Sequence, residues 1–161
     1  MVQAANSGQV VSISTDGSPY RASDVDGALY VEILQFYARQ MQLLDRALCE
    51  EWAQTFTEEG VFAANAQAQP TTGRKALAAA ARTMTEDLAG RGIRRRHWIG
   101  MSVLMDAAGA RYRVHSNAAV FDTTIGGGET GVLLGTMIDQ LVRKDGQLLV
   151  HHRQVNRDDL P

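Results

Sequence analysis

Apolar residues in this chain change their period near Gly90, and few folds accommodate that change. Before it, Leu29, Ile33, Phe36, Tyr37, Met41 and Leu44 recur at three and four, the spacing of one helix face. Leu48, Trp52, Ala53 and Phe56 continue the period after a break near Leu44–Arg46, which predicts two consecutive helices. Ser23 with Asp26 forms an S-x-x-D capping signature ahead of the first. TEEG is expected to end the second, and VFAA to form a short strand. Gly73 should lead into a third, alanine-rich helix, RKALAAAARTMTEDLAG, closed by Gly90. Beyond Gly90 the runs RRRHWIGMSVLMD, RYRVHSNAAVFDTT, TGVLLGTMIDQLVRK and QLLVHHRQVN are strand-like. DAAG and KDG read as hairpin turns, and IGGGETG as a flexible connection. Helices followed by an antiparallel meander predict an α+β fold with the helices on one face of the sheet. A sheet curved around a helix leaves a concave, mostly apolar pocket, the usual place for a small-molecule site.

Length and charge narrow the options. The 161 residues fit one domain, which we place at 23–161, behind a small, polar, flexible arm at 1–22. A net charge of −2 gives no reason to expect nucleic acid as a partner. No apolar run reaches the ~18–20 residues of a membrane span. The N-terminus lacks the basic start and apolar block of a secretion signal, so a cytoplasmic location is expected. The single cysteine, Cys49, excludes an internal disulfide and reads as a buried, inert thiol. His151 and His152 are adjacent on a strand and point oppositely, and no HxH or HxxxH spacing occurs, so no metal is expected. GGGETG lacks the strand-then-helix context of a phosphate loop, and no cofactor motif appears.

Several polar residues could work in the pocket. Strand alternation puts His97, Ile99, Met101 and Val103 on one face, and Trp98, Ser102 and Leu104 on the other. Read alone, His97 is better explained by a structural hydrogen bond, and Asp45 by capping at the helix break. Asp122 could begin the turn DTTIGGG. Asp139, between apolar neighbours, must face solvent or be paired. Arg94–Arg96 reads as a solvated strand start.

The order FYARQMQLLDRALCEEWAQTFTEEGVF, TTGRKAL, RRRHWIG and MIDQLVRKDGQLLVHHRQVNRD resembles the SnoaL-like families of the nuclear transport factor 2-like superfamily, over roughly residues 25–158. The resemblance implies a cone-shaped α+β barrel, with three helices against a strongly curved, mostly antiparallel sheet enclosing a pocket. It also implies a homodimer formed through the sheet. Within that superfamily the sequence is most similar to the scytalone dehydratase-like and bile-acid dehydratase-like branch. There, an aspartate on the early helices and a histidine in an H-[FW]-I-G strand form a dyad. HWIG supplies His97, and Asp45, eleven residues before Phe56, falls at the carboxylate's place. A second acid/base residue of those enzymes falls at Asp122, or at Phe121 with a one-residue gap. Tyr37, Trp52, Phe62, Met101, Asp139 and Arg153 are the substrate contacts expected on the same basis. The pocket asparagine of the scytalone enzyme falls near Met137 and is absent.

Such a dyad removes a proton from carbon beside a carbonyl, with the aspartate fixing the tautomer and stabilising the imidazolium. The expected activity is therefore a cofactor-independent lyase or cyclase acting on a hydrophobic, polycyclic or polyketide-like carbonyl compound. Two alternatives stay open at this point. One is a non-catalytic ligand-binding or partner-stabilising domain. The other is a structural small subunit like that of ring-hydroxylating dioxygenases.

Overall fold

The computed structural model describes residues 26–161, so the arm at 1–22 and Ser23 lie outside the described residues. Helix α1 spans Gly27–Asp45. Its N-cap is Asp26 rather than Ser23: the Asp26 carboxylate accepts from the N–H groups of Ala28 (3.0 Å) and Leu29 (3.4 Å). Ile33, Tyr37, Gln40 and Met41 form its buried stripe. The helix stops where Ala47 turns left-handed (φ 57°). The Ala47 and Leu48 N–H groups then close on the Leu44 and Leu43 carbonyls. Helix α2 follows at Cys49–Gln54.

Strand β1, Phe56–Ala64, starts one residue beyond that helix's C-cap, so TEEG lies inside a strand and does not end a helix. Gly60 makes this possible: a Cβ there would sit 2.8 Å from Phe56 Cβ, and the pairing register slips between Phe56 and Val61. Strand β2 is the two residues Thr71–Thr72, and α3 runs Arg74–Gly90 behind Gly73. The meander is β3 (Ile93–Ala108), β4 (Arg111–Thr124), β5 (Thr130–Lys144) and β6 (Gln147–Arg157).

The strands form one open sheet in the order β2-β1-β6-β5-β4-β3. All neighbours are antiparallel except β1 and β6, which run parallel. The three helices pack on its concave face. The expected barrel is thus an unclosed, curved sheet, with β2 and β3 as its edge strands among the described residues. Phe56, Leu77, Leu141 and Val150 are at most 1% exposed and anchor the core where the helices meet the sheet. Among the described residues no helix is long and apolar enough to cross a membrane.

One irregularity bears on the site. The β3–β4 register shifts between Gly100 and Val103, and Met101 there has φ 50°. His97 and Ile99 face inward as alternation predicts. The bulge then turns Met101 out to solvent (82% exposed) and buries Ser102 against Ser116, 2.8 Å between hydroxyls. Met101 therefore does not line the space between the helices and the sheet, because one extra residue inverts the faces beyond it.

Candidate active site

A cavity of about 380 Å³ lies between the helices and the concave sheet face. Its walls are largely apolar, with Met41, Leu44, Trp52, Phe62, Leu77 and Met137 among them. The ionisable side chains among the described lining residues are Arg95, His97, Arg153 and Arg157. In that set an imidazole alone can offer a neutral nitrogen lone pair to a proton.

His97 is held by Asp45. The carboxylate Oδ1 lies 2.7 Å from His97 Nδ1, and both side chains are nearly enclosed, 13% and 11% exposed. Local structure explains the pairing. β3 is an edge strand, so the outward backbone N–H of His97 has no ladder partner among the described residues; it donates to Asp45 Oδ1 (3.2 Å). The last residue of α1 thus caps the strand edge and the imidazole together. A carboxylate accepts, so Nδ1 carries the proton and Nε2 is left as a lone-pair acceptor. Nε2 has no partner among the described residues, and His97 lines the cavity.

The other cations are backed in the same way. Arg95 lines the cavity, and Asp122, its cross-strand neighbour, grips it through two bonds of 2.7 and 2.6 Å. Arg95 shares the inward face with His97, two residues on, so it is not the solvated strand start that composition suggests. That hydrogen bonding, against some desolvation, holds the Asp122 carboxyl below its ordinary range. Asp122 is not itself a lining residue. Its place as an ionised partner of Arg95 fits poorly with proton donation at neutral pH. A depressed pKa stabilises the fold above the unfolded-state value, and that contribution is lost as the pH falls through the folded one. Asp122→Asn is accordingly expected to cost about 1 kcal/mol at pH 7, with the deficit shrinking in acid below the ordinary carboxylate range. Urea titrations at neutral and acid pH measure it.

Asp139 and Arg153 form a fully enclosed pair. Arg153 Nε and Nη2 donate to the two Asp139 oxygens (2.9 and 2.7 Å), and Nη2 also donates to Gln40 Oε1 (2.7 Å). Burial opposes the Arg153 charge, but attraction to Asp139 outweighs it and raises the guanidinium pKa. Tyr37 lies beside them, its ring 5.9 Å from the guanidinium carbon. Burial, reinforced by the Asp139 charge, pushes its phenol pKa well up.

Of the substrate contacts expected from sequence, Trp52, Phe62 and Arg153 therefore line the cavity, whereas Tyr37 and Asp139 stand behind Arg153. His151 and His152 are outside it; His151 Nδ1 lies 3.3 Å from Thr57 Oγ1. Arg95, Arg157 and Gln40 were not anticipated. Strand parity with His97 could have flagged Arg95, and the α1 stripe could have flagged Gln40. No group of three or more His, Cys, Asp or Glu side chains suited to a metal occurs among the described residues.

Comparison with known proteins agrees with this architecture. The model of the SnoaL-like domain matches residues 28–154, and the chain belongs to that family. Its fold is the nuclear transport factor 2-like cone. Aln2 from a Streptomyces species superposes with a TM-score of 0.76 at 32% identity, covering 84% of this chain and 94% of that one. ActVI-ORFA from Streptomyces coelicolor gives 0.77 at 30%, covering 84% and 99%. A protein from Catenulispora acidiphila, solved in complex with S-DNPA, gives 0.71 at 33%, covering 83% and 96%. A search of curated proteins finds no match.

Proposed function

We propose that the protein is a cofactor-independent acid–base lyase or cyclase that dehydrates or ring-closes a hydrophobic, polyketide-like carbonyl compound. In this reading His97 Nε2 takes a proton from carbon next to a carbonyl, and Asp45 holds the tautomer and stabilises the imidazolium. The electrons pass to the carbonyl oxygen as an enolate. The enolate then expels a β-hydroxyl, which leaves as water with the imidazolium proton, or its α-carbon bonds to a second carbonyl carbon, whose oxygen takes that proton and becomes a hydroxyl. The apolar walls exclude water from the enolate and position the carbon. The observation that carries the reading is the 2.7 Å Asp45–His97 bond at the wall of an otherwise apolar cavity. The ligand-bound Catenulispora relative supports small-molecule binding at this fold.

The test is to incubate the purified chain with a polycyclic β-hydroxyketone and, separately, with a diketone able to close a ring, in the presence of a chelator and no added cofactor. Product that has lost water, or an isomer with a new ring, is expected by mass spectrometry. Binding without either product would favour a ligand-binding module.

We also propose a homodimer through the outer sheet face. Trp98 (69% exposed), Val132 and Leu134 lie exposed there beside Met101, an apolar patch that pairing would cover. Light scattering at micromolar concentration should give twice the chain mass; a monomer would contradict the proposal.

A further inference from the structure

The cavity holds a second polar feature that the acid–base reading does not use. Arg153 lines the cavity yet is only 2% exposed. Two of its three guanidinium nitrogens, Nε and Nη2, are consumed by Asp139 and Gln40. No hydrogen bond joins Nη1 to a described residue, and Nη1 is not among the described atoms sealed away without a partner, as expected of a nitrogen at the cavity wall. The guanidinium plane is fixed from behind. Gln40 Nε2 donates to Thr55 Oγ1 (2.6 Å), which donates to the Trp52 carbonyl (2.6 Å), and the Tyr37 and Phe56 rings flank the guanidinium carbon at 5.9 and 5.6 Å. A guanidinium N–H held in one plane by a rigid set of partners, at the wall of a largely apolar cavity, is preorganised for an acceptor that enters there, and a ligand that displaces water from it must replace that hydrogen bond.

We infer that Arg153 Nη1 is a substrate subsite that takes a neutral carbonyl oxygen, a ring ketone or quinone, remote from the carbon deprotonated by His97. The inference rests on the cavity being the substrate site and adds to it what the substrate must carry. Charge decides the kind of oxygen. Asp139 already neutralises Arg153, and Tyr37 stays protonated beside them, so the cluster has no net charge to offset a carboxylate. A buried carboxylate would stand uncompensated, whereas a neutral carbonyl needs one donor only. Position sets the length of the substrate. Tyr37, which flanks Arg153, and Asp45, which holds His97, are two turns apart on α1, about 12 Å along its axis. A fused system on the order of three rings spans that interval.

The test uses equilibrium dialysis of the wild-type chain with 9-fluorenone, fluorene and fluorene-9-carboxylate. These share a three-ring skeleton and differ at one position. The ketone is expected to bind about tenfold or more tighter than the hydrocarbon, the value of one hydrogen bond to a charged donor, and tighter than the carboxylate. Arg153→Lys, which keeps the charge for Asp139 but removes the forked donor, should reduce the ketone preference to less than about threefold. Should that variant not fold, Arg153→Met/Asp139→Leu removes the pair with apolar side chains of similar size, a change buried pairs often tolerate, and should likewise abolish the preference. His97→Gln should leave the preference intact. That separates failure of the base from failure of the subsite. Equal binding of ketone and hydrocarbon to the wild type, or an undiminished preference in a folded Arg153 variant, overturns the inference. Tighter binding of the carboxylate would replace it with an anion site.

Discussion

His97→Gln is expected to lower turnover by about 10²–10⁴-fold with the fold unchanged. Glutamine matches imidazole roughly in size, and its amide can still donate to Asp45, so the β3 edge stays capped through the backbone N–H. What it lacks is a lone pair of useful basicity at the Nε2 position. Asp45→Asn should lose activity too, because an amide does not stabilise an imidazolium. It should also cost stability, because the edge-strand N–H of His97 would then face an acceptor weaker than a carboxylate. The two variants therefore differ in melting temperature while sharing the kinetic defect. Circular dichroism melts beside initial rates resolve them. Full activity in folded His97→Gln would leave His97 a structural histidine.

The second large effect is on stability. Asp139→Ala is expected to cost about 3–5 kcal/mol, because it leaves the Arg153 charge enclosed without its carboxylate. Against a typical domain stability of about 5–15 kcal/mol, that approaches unfolding. Exposed pairs such as Arg91–Asp87, whose side chains are each 62% exposed, should contribute little by comparison. Urea denaturation of Asp139→Ala and Asp87→Ala side by side makes the comparison. Similar midpoints would show that the buried cluster does not hold the core together.

The strands of the meander were legible because each is long and set off by turn residues, and β4 and β5 fall at the bounds expected for them, Arg111–Thr124 and Thr130–Lys144. Helix α3 was equally plain from its alanine run between Gly73 and Gly90. The failures have local causes. TEEG carries neither period; it lies in the register slip between Phe56 and Val61, where Gly60 comes too close to Phe56 for a side chain, and β1 is held by its pairing to β6 and β2. The parallel pairing of β1 with β6 joins residues some ninety positions apart, and no local pattern signals it. Met101 was misplaced because a bulge is invisible to strict alternation. For the site, Asp139 was legible as a residue that had to face solvent or be paired, and the structure pairs it with Arg153. Asp45 and His97 are 52 residues apart, so their meeting could not follow from spacing; resemblance to a family was what joined them. Arg95 was read as solvated because three consecutive arginines look like a charged edge, although parity with His97 turns the middle one inward.

The central claim is that His97 abstracts a proton from carbon inside the cavity. Hydrogen–deuterium exchange tests it without the true substrate. A small bicyclic ketone with acidic α-hydrogens, 2-tetralone, is incubated with the protein in D₂O, and loss of the signal from the benzylic α-protons is followed by NMR. Wild-type protein is predicted to accelerate exchange well above the buffer rate, and folded His97→Gln to return it to that rate. Exchange at the buffer rate with wild-type protein, for a ketone shown to bind, would contradict the account, as would equal acceleration by the variant.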